Sequence, residues 1–290
     1  MAPKIWFITG SSAGMGRAMT ERVLSQGDIA VATLRKPAAL ADLAQKYPKD
    51  RLLVVRLDVT NKAEIISAFA AARAAFGRVD VVFNNAGYSV LGEVESVPEE
   101  TARTLFDTNF WGALNVALEA VRVFRDENQP QGGKLINNSS VLAVTTSPAI
   151  GIYTASKHAL EGVMESLAKE LNPAWNIKVT NILPGAFATR GTSSESMVVT
   201  EPQPAYDFEG SNTAAARTIV GFRLPGDTEK MIKVVYEQVA TMDDPPVRLL
   251  LGKDALIRFE TASKKFAEDV TKYASLSDDL LREGASLPTN

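Results

Sequence analysis

Tyr153 and Lys157 stand four residues apart in Tyr153-Thr154-Ala155-Ser156-Lys157. On a helix their side chains rise from one face, about one turn apart. The chemistry open to such a pair is proton exchange. An ammonium beside a phenol lowers the phenol's pKa from about 10, so that it can give and take a proton near neutral pH. Taken alone the pair is common. The single histidine, His158, follows Lys157. One residue turns about 100° around a helix, so His158 points off that face and reads as a structural or surface side chain.

A second chemical feature is Thr9-Gly10-Ser11-Ser12-Ala13-Gly14-Met15-Gly16. It lies between an apolar run and a helical pattern, where glycines let the backbone approach a pyrophosphate and a helix N-terminus favours its charge. Gly10, Ser12, Gly14, Met15 and Gly16 are therefore expected to line a dinucleotide. In dinucleotide folds an acid about 20 positions on, at the end of the second strand, accepts from the adenine ribose and repels a 2′-phosphate. Here the segment reads Thr33-Leu34-Arg35-Lys36. With Leu34 in that place and the Arg35 guanidinium beside it, the cofactor expected is NADP (NADPH). The alternative is that Arg35 and Lys36 are ordinary loop charges.

The elements that must position these groups follow a βα rhythm. Short apolar runs at 4–8, 29–33, 52–56, 79–83, 133–137, 178–182 and 247–251 predict seven strands rich in Val, Ile and Leu, as a sheet covered on both faces requires. Helical patterns at 14–26, 62–75, 99–122, 153–171 and 227–242 lie between them, several closed by a Gly or Pro such as Gly27, Gly77 and Pro173. The fold class expected is α/β, a doubly wound parallel seven-stranded sheet of Rossmann-like type with helices on both faces, in a single domain over 1–290. From 190 to 226 the rhythm fails in favour of Ser, Thr, Glu and Pro. That stretch reads as a surface excursion or as a substrate-binding loop closing over the site, with Met197, Phe208 and Phe222 as its apolar contacts.

Taken in order, these segments resemble the short-chain dehydrogenase/reductase family. The resemblance runs through the glycine turn, Asn84-Asn85-Ala86-Gly87, Asn109-Phe110-Trp111-Gly112, Leu135-Ile136-Asn137-Asn138-Ser139-Ser140, the Tyr153 and Lys157 pair, and Pro184-Gly185 with Thr189. It implies that Tyr153 is the acid/base and that Ser140 holds and polarises the substrate oxygen. Lys157 would bind the nicotinamide ribose and tune Tyr153, and Asn109 would support a water-linked proton relay. It makes Asp58 and Val59 adenine contacts, sets Asn85, Ala86 and Gly87 along the cofactor, and puts Pro184, Gly185 and Thr189 at its far end. Asn84 and Asn85 equally suit a structural role, tying strand ends together. The chain departs from the family at Asn138, where many relatives have an apolar residue, at Met15, where Ile is usual, and at Ala13, where NADP-preferring members often carry a base.

The activity implied is reversible hydride transfer between a nicotinamide and a carbonyl or secondary alcohol, in the reductive direction. A silent nucleotide sensor on the same fold would be expected to lack the tyrosine or the lysine, and the longer-chain epimerases and dehydratases carry a G-x-x-G-x-x-G turn that is not present here. Composition agrees with a small-molecule enzyme. The 31 basic and 34 acidic residues leave a net charge of -3, which argues against a nucleic-acid or anionic-membrane partner. The absence of cysteine removes thiolate nucleophiles and Cys-based metal sites, and no metal is expected. No leader or run of about 18 apolar residues is read, so the expected location is cytoplasmic, as a homodimer or homotetramer through the helices at 99–122 and 153–171.

Overall fold

Ile5-Trp6-Phe7-Ile8 is apolar throughout because strand side chains alternate and both faces are covered. Ile5 and Phe7 enter one core, Trp6 and Ile8 the other, and all four are buried. The computed structural model describes residues 2–188, 197–218, 224–282 and 285–286. Its strands are β1 (Ile5–Thr9), β2 (Ile29–Leu34), β3 (Leu52–Arg56), β4 (Val81–Asn84), β5 (Ser89–Leu91), β6 (Gly133–Asn138), β7 (Ile177–Pro184), β8 (Phe187–Ala188), β9 (Met197–Val199), β10 (Gly226–Asp227) and β11 (Arg248–Leu251). Seven of them form one sheet in the order β11-β7-β6-β4-β1-β2-β3, with every neighbouring pair parallel. The expected doubly wound α/β sheet is thus present.

The helices are α1 (Gly14–Ser25), α2 (Ala41–Lys46), α3 (Lys62–Phe76), α4 (Glu99–Phe106), α5 (Ala113–Arg122), α6 (Gly151–Glu170), α7 (Asn212–Arg217), α8 (Thr228–Glu237) and α9 (Lys253–Tyr273). Phe69 of α3, Val116 and Ala120 of α5, and Leu160 and Met164 of α6 join Phe7 in one core. Met19 and Val23 of α1 and Ile232 and Val235 of α8 join Trp6 in the other. The rings of Phe7 and Phe69 stack at 4.0 Å, and those of Trp6 and Tyr236 at 5.3 Å.

The structure departs from the sequence expectation in several features besides the short helices α2 and α7. The 99–122 helix contains a π-helical stretch at Asp107–Gly112 and continues through a second one at Val123–Glu127. Small two-stranded sheets pair β5 with β9 and β8 with β10, so described strands of the 190–226 excursion pair with segments outside it. Finally, α9 is a 21-residue helix where none was expected, because its charges hide the period and only Ala255 of it is buried. Among the described residues, no helix is long and apolar enough to cross a membrane.

Candidate active site

The C-terminal ends of β1, β4 and β6 build the site from three loops. At the first, Gly10 and Gly14 adopt φ of +69° and +55°, which favour glycine. A Cβ on Gly16 would lie 2.3 Å from the Gly10 carbonyl oxygen and 2.6 Å from Asn85 Nδ2, so helix and turn touch backbone to backbone. The N-cap of α1 is Ala13, which offers no side-chain acceptor, and no acid stands in the first turn. By contrast α3 is capped by Asn61 and α8 by Asp227. The α1 amides are thus left for an anion, and together with the glycine cradle they fit the pyrophosphate of a dinucleotide.

The second loop holds the first in place. Thr9 Oγ1 accepts from the backbone N–H groups of Asn85 (2.8 Å) and Ala86 (2.9 Å), and Asn85 Nδ2 donates to the Thr9 carbonyl at 2.9 Å. The Asn85 side chain is thus tied to the glycine turn. Gly87 follows because a Cβ there would meet Asn109 Oδ1 at 2.9 Å. Asn109, 1% exposed in the π-helical stretch, accepts from the Tyr88 N–H (3.1 Å), donates to the Tyr88 carbonyl (2.8 Å) and reaches Ser156 Oγ (3.4 Å). Its amide anchors the β4 loop to α6.

The third loop carries Ser140, which caps a short helical turn by accepting from the Leu142 N–H at 3.1 Å. Tyr153 lies against it, and Lys157 Nζ stands 5.8 Å from the Tyr153 ring centre and donates to the Asn138 carbonyl at 2.9 Å. Burial pushes the Tyr153 phenol above its ordinary value, with the Ser140 hydrogen bond pulling against it. The sequence expectation is a phenol brought down by Lys157; without a bound cofactor, burial outweighs the one neighbour that pulls the other way, the Ser140 hydroxyl. The same desolvation lowers Lys157 to about 8, opposed by the negative charge of Glu161.

The two departures Met15 and Asn138 prove to be partners. Asn138 Nδ2 donates to Asn85 Oδ1 at 2.9 Å and approaches Met15 Sδ at 3.2 Å, so Asn138 joins the glycine turn to the segment that holds Lys157. At the nucleotide end, Arg35 is exposed with no ion pair among the described residues, whereas Arg17 is held by Glu21, Asp42 and the Ala39 carbonyl. The Arg35 charge opposes the burial that raises the Tyr88 phenol. Asp58 lies at the end of β3, its carboxylate accepting from Thr60. Val59 is buried with its side chain against the place a Gly112 Cβ would fill, which leaves it only backbone to offer a nucleotide.

Pro184 and Gly185 end β7, where the Gly185 N–H donates to the Leu251 carbonyl and Asp254 accepts from the Ala186 N–H at 2.7 Å. A Cβ on Gly185 would lie 2.2 Å from Asp254 Oδ2. Thr189 and Phe222 fall outside the described residues, while Phe208 is largely exposed. The excursion is fastened by Arg217, which donates to both carboxylate oxygens of the buried Glu93 and to the Thr200 carbonyl at 2.8 Å. Sequence reasoning missed Thr9 as the clamp, Asp254, Glu93 and Glu161. Only Glu161 left a readable signal, because it lies one helical turn beyond Lys157 on the same face.

A family model for short chain dehydrogenase matches residues 4–197, which covers every loop of this site up to β9. The chain belongs to the short-chain dehydrogenase/reductase family of oxidoreductases. It is 34% identical over 276 residues to an uncharacterized oxidoreductase of Schizosaccharomyces pombe, covering 95% of this chain and 91% of that one. It is 31% identical over 274 residues to a 3-ketodihydrosphingosine reductase of Bacteroides thetaiotaomicron, covering 94% and 97% of the two. A short-chain dehydrogenase of Streptomyces avermitilis superposes with a TM-score of 0.86 at 32% identity, over 95% of this chain and 98% of that one. Membership of the family accounts for the order of the three loops along the chain.

Proposed function

We propose that this oxidoreductase is an NADPH-dependent carbonyl reductase, reversible as a secondary-alcohol dehydrogenase. The observation that carries this reading is the meeting of Ser140, Tyr153 and Lys157 in one cluster, the half-buried phenol set against the buried serine and the buried ammonium beside its ring. Gly10, Ser12, Gly14, Met15 and Gly16 would hold the cofactor's pyrophosphate. Asp58 and the Val59 backbone would flank its adenine, Ala86 and Gly87 its middle, and Arg35 its 2′-phosphate. When bound, a nicotinamide cofactor supplies the hydride to a carbonyl carbon or takes it back.

The remaining chemistry belongs to this chain's side chains. Burial keeps the proton on Tyr153 at neutral pH, so its phenol is an acid ready to protonate a carbonyl oxygen that is becoming an alkoxide. The Ser140 hydroxyl donates to the same oxygen and fixes it in front of the phenol. Once the proton has gone, the Lys157 ammonium stabilises the phenolate that remains. Asn109, held on three sides, keeps the β4 loop and α6 in register, and its part in a proton relay is that of an anchor, since an amide does not ionise. The reductive direction draws support from the reductase among its relatives. The 190–226 excursion, fastened by Arg217 and Glu93, would close over an apolar carbonyl compound. Trp111 and Leu118 expose apolar side chains along the 99–122 run, which supports that face as the contact in a homodimer or homotetramer.

The test is loss of NADPH absorbance against a panel of ketones, aldehydes and quinones. Tyr153→Phe should lower kcat by about 10²–10⁴ while NADPH binding, read by fluorescence titration, stays near wild type. Turnover by that variant at the wild-type rate would overturn the assignment.

A further inference from the structure

Beneath the Tyr153 and Lys157 pair lies a carboxylate with no role in the scheme above. Glu161 of α6 is one turn beyond Lys157 and only 2% exposed. A buried carboxylate needs a full set of donors. Here they stand at the end of a row across four strands in register, because Asn84 of β4 pairs with Asn137 of β6, Asn137 with Asn181 of β7, and Asn181 with Arg248 of β11. The amides all donate in one direction. Asn84 donates to Asn137 (3.0 Å), Asn137 to Asn181 (2.9 Å), and Asn181 to Glu161 Oε1 (3.0 Å), where Arg248 Nε also arrives at 3.1 Å. The second oxygen, Oε2, accepts from Ser139 Oγ at 3.0 Å.

Ser139 lies between Ser140 and Asn138, whose carbonyl holds the Lys157 ammonium. Glu161, Ser139, Asn138 and Lys157 therefore close a ring that ties the end of β6 to α6 at two points one turn apart. Neutralising Arg248 is not a sufficient reason for this carboxylate, because Arg248 has a second partner in Glu165 at 2.6 Å.

We propose that Glu161 is a positioning residue: its carboxylate, oriented by the asparagine ladder, fixes the 138–140 segment against α6 and sets a negative charge facing Lys157. The proposal rests on the reading of Ser140, Tyr153 and Lys157 as the reacting set. The titratable and charged groups around Lys157 are Tyr153 and Glu161 on its own helix, with Arg248 behind Glu161 on β11. The β6 end meets it with Asn138, Ser139 and Ser140, and the π-helical stretch with Asn109, none of which titrates. Of the charged groups, Glu161 opposes the burial that lowers Lys157 to about 8.

Glu161→Gln keeps the shape of the side chain, removes its charge and turns one acceptor into a donor facing donors. In that variant NADPH-linked kcat should fall by about tenfold to a hundredfold with the ketone KM within about threefold, the signature of misplaced reacting groups. The upper limb of its pH profile should move to lower pH, since Lys157 loses the charge that retains its proton. Ser139→Ala, which keeps the carboxylate, should lower kcat without moving that limb, and the two changes together should be less than additive because they cut one ring. A folded Glu161→Gln variant with wild-type kcat and an unmoved limb overturns the proposal. If that variant does not fold, unchanged kcat in Ser139→Ala overturns it instead. Tyr153→Phe separates the two failures: turnover there removes the proposed function, whereas an inactive Tyr153→Phe beside a wild-type-like Glu161→Gln removes only the role of Glu161.

Discussion

Adding one methyl group at Gly16 probes whether the glycine turn is a cradle or merely a bend. The new Cβ would stand 2.3 Å from the Gly10 carbonyl oxygen and 2.8 Å from its carbon, where ordinary contact begins at 3.4 Å. Both atoms are backbone, and the turn behind them is clamped by Thr9 and Asn85, so helix and turn must part by roughly 1 Å, an overpacking worth about 1–3 kcal/mol. The gain from replacing a helical glycine by alanine, about 1 kcal/mol, offsets part of it. Gly16→Ala should therefore lose about 1 kcal/mol, or about 2–4 °C in Tm at this chain length. With the α1 amides displaced, NADPH affinity should fall about tenfold to a hundredfold. Gly162→Ala is the internal control: it lies exposed within α6 with nothing within 4 Å of the added Cβ, and should gain up to about 1 kcal/mol. Thermal unfolding by circular dichroism and NADPH titration by fluorescence read both variants. A Gly16→Ala protein that melts and binds as wild type, or a Gly162→Ala protein that falls with it, refutes the packing argument.

Arg35→Ala should weaken NADPH binding by about tenfold to a hundredfold and leave NADH unchanged, because one charge-assisted contact to the 2′-phosphate is lost. Paired titrations would show it, and Arg17→Ala should leave the preference intact because Arg17 is already held by Glu21 and Asp42. The reductase kcat/KM should hold below pH 8 and decline above it, since Lys157, brought down to about 8 by burial, loses its positive charge as pH rises through that value. Glu93 is held at about 2, well below its ordinary 4.5, chiefly by the Arg217 hydrogen bonds. The stability it contributes is complete above 4.5 and disappears as pH falls from there towards 2. Arg217→Met leaves that carboxylate buried and unpaired, so urea midpoints should show a loss of about 3–5 kcal/mol at pH 7 that shrinks at pH 3.

What could be read from the sequence was what repeats locally. Apolar runs disclosed all seven strands of the main sheet, and the i and i+4 spacing of Tyr153 and Lys157 placed both on α6. What could not be read depends on contacts between distant segments. The direction of the Tyr153 shift turns on how deeply α6 is buried. The task of Asn85 is decided by Thr9, 76 residues away, and Met15 and Asn138 read as two separate oddities until the fold set them side by side. The π-helical stretch around Asn109 has no composition of its own. The charged face of α9 obscured a helix whose apolar side chains, Phe266 at 71% exposure among them, remain open to solvent.

The clamp on the glycine turn bears on how this protein acquires its binding surface. Because Thr9, Asn85 and Ala86 hold the turn from behind, the cradle is complete only once β4 has docked beside β1. An N-terminal fragment ending before residue 81 would carry every glycine and still lack the shape. Ligand capture thus reports on long-range assembly, and a nucleotide that selects the finished turn draws the equilibrium of the whole sheet toward the native state.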